Sequence, residues 1–316
     1  MRFGGASRVP YGVVVTVAAL LVGCATAHAA APRCFGAAAR DPLKPCTNPE
    51  LRLSVTPTPD DALLEASAAC APVTSKAPPS RCLFGTPKAK ARRTVALIGD
   101  SHAVHWRAAL QHVFKVHRWR GVTLYRSQCP YTGARTSLPE PDGSECEQFK
   151  RDTLGYLTAH PEIDTIFVSG NTGAGVVVPK GQERFEAKTN GYIAAYTGLP
   201  ASIRHVIVLR DPPHNRESTN ACVARAVERR KPPGTTCQVP VATALAPDPA
   251  IEAATRLNDP RVQTIDLTPF MCDRANCFPV IGGALVHKDV GHLSTTFSTT
   301  LGPYVLREVN AHMAEW

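Results

Sequence analysis

A serine at the end of an apolar run opens the chemistry of this chain. Val95-Ala96-Leu97-Ile98 leads into Gly99-Asp100-Ser101-His102, and Ala103-Val104-His105-Trp106 follows with helical character. A serine at such a strand-to-helix turn presents its hydroxyl at the sheet edge, beside helix amides that can stabilise an oxyanion, and glycine permits the tight turn. Taken alone, the same residues serve equally well as a helix cap, a role that Asp100 or Ser101 can fill. A second motif separates the two readings. Asp289-Val290-Gly291-His292-Leu293-Ser294 places an acid three residues before a histidine, so one loop can deliver both. A serine hydroxyl is a weak nucleophile at neutral pH and needs a base, here His292, and a group that orients the base, here Asp289. The expected chemistry is acyl transfer through Ser101.

The elements that must position these residues are legible from Thr94 onward, where short apolar runs alternate with longer amphipathic stretches. Strands are predicted over Thr94–Ile98, Val122–Tyr125, Thr165–Ser169, His205–Leu209 and Gln263–Asp266. Continuous apolar runs of this kind suit parallel strands buried on both faces. Helices are predicted over Ala103–His117, Cys146–Ala159, Glu183–Tyr196 and Phe297–Met313. The fold class that follows is α/β, a three-layer α/β/α sandwich around a parallel sheet. In such sheets ligands gather outside the carboxyl ends of the strands, where Ser101 stands.

Three segments organise the chain: a targeting signal over residues 1–29, an extension rich in proline, alanine and cysteine over 30–93, and a catalytic domain over 94–316. Arg2 and Arg8 precede an apolar run, Val13 to Val22, that leads to Ala27-His28-Ala29, the pattern of a secretory signal. The run is shorter than the roughly 18 residues of a transmembrane candidate. Two processing routes are written over each other, because Leu21-Val22-Gly23-Cys24 resembles a lipobox that would leave Cys24 lipidated, whereas Ala27-His28-Ala29 suits ordinary signal cleavage. Of the 11 cysteines, all but Cys24 form an even set: Cys34, Cys46, Cys70, Cys82, Cys129, Cys146, Cys222, Cys237, Cys272 and Cys277. An oxidising compartment lets such a set form five disulfides, and the short separations invite sequential pairing. No C-x-x-C pair of the zinc-binding type occurs. Loss of Arg2 and Arg8 takes the formal charge from +9 to +7, and an exported, moderately basic protein is not expected to meet nucleic acid. Lys88-Ala89-Lys90-Ala91-Arg92-Arg93 and Arg229-Arg230-Lys231 read as solvated loop charge or as contacts to anionic glycan or membrane.

These residues resemble the SGNH hydrolases, and more closely the SGNH domain found fused to, or working beside, integral-membrane acyltransferase-3 proteins. The likeness rests on Gly99-Asp100-Ser101-His102 with Trp106, on Cys129-Pro130, on Cys272 to Cys277 leading into Pro279-Val280-Ile281-Gly282-Gly283, and on Asp289-x-x-His292-Leu293. It implies a flavodoxin-like sheet and a triad of Ser101, His292 and Asp289. It also implies handling of acyl groups, commonly acetyl, on cell-envelope carbohydrate, with a membrane acyltransferase-3 protein as partner. No cofactor and no metal ion are expected. The wider superfamily builds its oxyanion hole from the serine amide, a glycine amide and an asparagine side chain. Gly170-Asn171 follows the third strand, which makes Asn171 the oxyanion candidate. Ser127-Gln128-Cys129 stands where the glycine is looked for, so Gln128 is the second candidate. His102 is expected to hydrogen-bond within the helix start, and Arg210-Asp211-Pro212-Pro213 reads as a turn without a catalytic role. Asp100-x-His102 is also similar to the first metal block of metallophosphoesterases, but the Gly-Asn-His block of that family is missing, since Thr172 follows Gly170-Asn171. A non-catalytic glycan-binding or partner module of the same fold is the rival of another class.

Overall fold

The predicted strands assemble into one sheet, whose order is what places Ser101. The computed structural model describes residues 1, 31–73 and 78–315. The signal expected over 1–29, with Arg8, Val13–Val22 and Cys24, lies outside the described residues apart from Met1. Arg33–Trp316 forms one compact unit and Met1–Pro32 the other. No helix among the described residues is long and apolar enough to cross a membrane.

Seven strands make the sheet: β1 (Ala71–Pro72), β2 (Arg81–Gly85), β3 (Arg93–Gly99), β4 (Trp119–Tyr125), β5 (Ile163–Ser169), β6 (His205–Leu209) and β7 (Val262–Ile265). Their order is β1-β2-β4-β3-β5-β6-β7. β3 to β7 run parallel, while β2 pairs antiparallel with β4 and β1 antiparallel with β2. Numbered among themselves, the parallel strands follow the doubly wound order 2-1-3-4-5, whose topological switch lies at the first of them. That strand is β3, and Ser101 follows its carboxyl end.

Alternating residues of the central strands feed two cores. Val95 and Leu97 of β3 join Phe167, Ile207 and Ile265 on one face, beneath helices α2 (Arg107–His117) and α6 (Thr295–Met313). Ala96 and Ile98 join Val122, Ile166, Val168 and Val208 on the other, beneath α3 (Asp142–Ala159), α4 (Arg184–Thr197) and α5 (Pro249–Leu257). Burial on both faces accounts for the unbroken apolar runs. The helix expected over Ala103–His117 is two pieces, α1 (Ser101–His105) and α2. The Trp106 amide donates three residues back to the Ala103 carbonyl at their junction, a tighter bond than the α-helical one.

Residues 33–73 and 78–93 are built into this architecture. β2 extends the sheet, the Gly36 amide donates to Gly282 O, and the Thr56 amide donates to Gly283 O. The Ala37 amide donates to Thr300 Oγ1 on α6, and Arg307 pairs with Asp41 at 3.0 Å. The ten expected cysteines form five sequential disulfides: Cys34–Cys46, Cys70–Cys82, Cys129–Cys146, Cys222–Cys237 and Cys272–Cys277.

Candidate active site

β3 ends level with its two neighbours, since Gly99 is in register with Tyr125 on β4 and with Ser169 on β5. Gly99 has φ of +151°, and a Cβ there would lie 1.9 Å from the Ser169 carbonyl oxygen. A backbone atom of a central strand cannot step aside cheaply, so only glycine lets the chain turn here. Gly99→Ala is expected to cost about 2–4 kcal/mol, read as a lowered urea midpoint; an unchanged midpoint would show that the turn tolerates a side chain. Asp100 then caps α1, its Oδ1 accepting from the His102 amide at 2.8 Å and its Oδ2 from the Asn171 amide at 3.0 Å. Asp100 is fully buried, which pushes its pKa up. The cap belongs to Asp100, and Ser101 is left with its hydroxyl free to face the opposing loop.

That loop is folded around Asp289. The Asp289 Oδ1 accepts from the amides of Gly291 at 3.0 Å and His292 at 2.7 Å, so the acid shapes the turn that carries its own histidine. The Lys288 amide donates to His292 O, and Asn220 Nδ2 donates to Lys288 O, which ties the loop from two sides. The His292 ring bridges the two motifs. Its Nδ1–H donates to Asp289 Oδ2 at 2.8 Å, and its Nε2 accepts from the Ser101 hydroxyl at 2.8 Å. This tautomer is the one in which a carboxylate partner leaves the far nitrogen basic. Burial alone would lift the Asp289 pKa; the hydrogen bonds from the His292 ring and amide outweigh it and hold the carboxyl well below the usual range. Asp289 therefore stays anionic beside the imidazole. The structure brings together Ser101, His292 and Asp289, drawn from positions 191 and three residues apart.

Ser101 and His292 line a cavity of about 280 Å³. One wall is apolar, from Val104, Ala108 and Leu293, and Tyr125, Ser127 and Lys288 bring polar groups. The remaining wall, Ser67 and Ala68, belongs to the N-terminal segment. Glu65 accepts from the Thr295 and Thr296 amides at the start of α6, Thr295 Oγ1 donates to Ala66 O, and Arg107 Nε donates to Ala68 O at 2.9 Å. The strap that closes the site is thus pinned at three places. Nothing in its sequence announces this, because every partner is a distant residue.

The two oxyanion candidates lie differently. Asn171 sits beside the nucleophile turn through its amide bond to Asp100, and its Oδ1 accepts from the Gly173 amide at 2.7 Å, which leaves the side-chain NH2 as donor. Gln128 is exposed with φ of +59°, and its neighbour Ser127 is the one that lines the cavity.

The histidines show what sequence reading missed. His102 does donate its amide within the helix start, but its ring Nδ1 turns to Asp211 Oδ1 at 2.6 Å. Asp211, 3% exposed, also accepts from Thr172 N at 2.8 Å, from Thr172 Oγ1 at 2.9 Å and from His214 Nε2 at 3.2 Å, while its own amide donates to Asp248. Burial would raise the Asp211 pKa, but bonds from His102 and His214 dominate and lower it, whereas burial pushes Asp248 up to about 6. His102 is subject to desolvation, which lowers its pKa, yet its bond to Asp211 carries it above the ordinary imidazole value. Asp211 is therefore a hub that joins the loops after β3, β5 and β6. The ligand atoms of His102, Asp211 and His214 lie within 4.8 Å of one another, the one grouping among the described residues with metal-binding proximity. Both Asp211 oxygens are already engaged by hydrogen bonds. Burial lowers the pKa of His105, which lines the cavity, and that of His287, which falls to about 3, so both rings are neutral. The single signal in the sequence for Asp211 was its place directly after a strand, at the carboxyl edge.

The family model described as "SGNH domain (fused to AT3 domains)" matches residues 68–307. The chain belongs to this SGNH domain family. Among solved structures, it is similar to the periplasmic domain of a lipopolysaccharide acetyltransferase from Salmonella ser. Paratyphi A, at 12% identity and a TM-score of 0.53, covering 70% of this chain and 84% of that one. Carboxylesterase CesB (YbfK) from Bacillus subtilis matches at 12% identity and a TM-score of 0.30, over 82% of this chain and 96% of that one. No curated protein matched the chain. The likeness to the Salmonella domain shows the shared fold, with the sheet of mostly parallel strands and helices on both sides described above.

Proposed function

We propose that this SGNH protein is a serine-dependent O-acyl esterase or transferase that handles short acyl groups, acetyl foremost, on cell-envelope carbohydrate outside the cytoplasm. The observation that carries the reading is the relay of two 2.8 Å hydrogen bonds, Ser101 to His292 to Asp289, opening on a small cavity. Ser101 Oγ attacks the ester carbonyl as its proton passes to His292 Nε2, and Asp289 stabilises the imidazolium. The carbonyl oxygen becomes an oxyanion, held by the Ser101 amide and the Asn171 side-chain NH2. We place Asn171 there rather than Gln128 because Asn171 is tied to the nucleophile turn. The tetrahedral centre collapses, the sugar oxygen leaves with the proton from His292, and an acyl ester remains on Ser101. Water or a second sugar hydroxyl then repeats the sequence in reverse: water completes an esterase cycle, a hydroxyl a transferase cycle.

A cavity of about 280 Å³ is at the lower edge of ligand-site volumes and favours a short acyl chain. Five disulfides support an oxidising compartment. The family's association with acyltransferase-3 domains supports a membrane acyltransferase as acyl supplier. The test is incubation of the purified protein with O-acetylated cell-wall glycan, following free acetate and acetate moved to an added glycan, together with a serine-reactive phosphonate. Acetate release or transfer, and phosphonate mass on the Ser101 peptide, are the expected results. An inert protein that leaves Ser101 unlabelled would make the chain a binding module instead.

A further inference from the structure

The cavity beside Ser101 has an uneven charge. None of its lining residues is an aspartate or glutamate, and its one fixed charge is the ammonium of Lys288. Among the described residues, no carboxylate forms an ion pair with Lys288. The neighbouring Asp289 is committed to the His292 ring and to two backbone amides.

A second cation stands behind the strap. Arg107 is 5% exposed, and among the described residues its guanidinium meets only neutral acceptors, Ala68 O through Nε at 2.9 Å and through Nη2 at 2.5 Å, and Cys82 Sγ through Nη1 at 3.7 Å. Buried charge is ordinarily compensated by an opposite charge, since desolvation is costly and the field of an uncompensated ion carries far in a low-dielectric medium. Burial lowers the Arg107 pKa, and the group acting against that is Tyr125, itself a cavity residue. Arg107 is bonded to Ala68, which lines the cavity, so its field acts on the space in front of Ser101 through one residue, while Lys288 lines that space itself. The adjoining hollow of about 350 Å³, which Lys288 also lines, carries Asp60, Glu217, Asp289 and Arg216 and is mixed in sign. Of the two hollows that Lys288 lines, the one that holds the serine has no carboxylate in its own lining.

We infer that the sugar presented to Ser101 is anionic, bearing a carboxylate or phosphate that Lys288 receives directly and Arg107 favours through its field. This deepens, and rests on, the reading of the site as an O-acyl enzyme. Val104, Ala108 and Leu293 take the acyl methyl, and the charged group lies towards Lys288.

The test separates recognition from chemistry. Ser101→Ala protein, which binds without turning over, is titrated by calorimetry with a deacetylated uronate trisaccharide, a sugar phosphate and a neutral trisaccharide of the same size. An anionic ligand is expected to bind about tenfold more tightly than the neutral one, the factor that one charge-assisted hydrogen bond supplies. The uronate and phosphate arms show which anion is preferred. Adding Lys288→Gln to Ser101→Ala should lower the ratio of affinities several-fold, the remainder being the share of the Arg107 field, and Lys288→Arg should retain it. Equal affinities for neutral and anionic sugars, or a preference that Lys288→Gln leaves undiminished, would overturn the inference. Because the assay needs no turnover, its outcome is independent of acetate release and phosphonate labelling, which test the reading beneath it.

Discussion

Replacing Ser101 with alanine is expected to lower kcat on acetyl esters by about 10⁴–10⁶-fold while leaving the fold intact. The reasoning is local. The Ser101 hydroxyl donates to His292 Nε2 at 2.8 Å, and the start of α1 is capped by Asp100, so the loss of one oxygen removes the nucleophile without uncapping a helix. Stability, read from the urea midpoint, should move by less than about 1 kcal/mol. His292→Ala should be nearly as damaging, and the double variant little worse than either single one, because residues acting as a unit are not additive. Asp289→Asn should cost activity through the imidazole's tautomer, since an amide NH2 can face the ring nitrogen that now donates. The result that counts against this is an active Ser101→Ala protein, which would move the chemistry to another group in the cavity.

The parts of this design that sequence reading reached are those written in contiguous residues. β3 to β7 were visible because a strand buried on both faces must be apolar throughout, as Val95-Ala96-Leu97-Ile98 is. Asp289 and His292 were visible because one loop carries both, and Ser101 because a glycine and a capping acid precede it. β2, Arg81–Gly85, escaped because it is an antiparallel strand near the edge, largely half-buried, with no clean alternation. α5 escaped although Asp248-Pro249 is a good start signal, its cap accepting from Ala250 N at 2.8 Å. Arg107 looks like any arginine on a helix surface until Ala68, 39 residues earlier, is seen to cover it. Asp211 is the largest omission, and its partners explain it. His102 lies 109 residues away in sequence and Thr172 lies 39, so no spacing could have joined them.

Asp211 is where the second large effect is expected. Asp211→Ala removes the acceptor for Thr172 N, Thr172 Oγ1, His102 Nδ1 and His214 Nε2 in a site that admits almost no water, and it leaves a raised-pKa imidazole without its counter-charge. Breaking a buried pair from one side costs about 3–5 kcal/mol. The same loss should reach activity. His102 packs 4.7 Å from the His292 ring between centroids, and Thr172 adjoins Asn171, so the His292 ring and the Asn171 segment both lean on the hub. A pH series distinguishes this ion pair from simple packing. The Asp211 carboxyl is depressed in the folded protein, so its contribution is present above its unfolded value near 4 and is lost as pH falls below that. The His102 imidazole is raised, so its contribution is complete below its unfolded value near 6.5 and is lost as pH climbs through the folded one. Both are therefore satisfied together between about pH 4 and 6.5. The stability difference between wild type and Asp211→Asn, measured by urea titration across pH 3 to 9, should be largest in that window and shrink on either side. A difference that stays flat across the series would reduce Asp211 to a neutral hydrogen-bond acceptor, and His102 to an imidazole that never carries charge beside the triad.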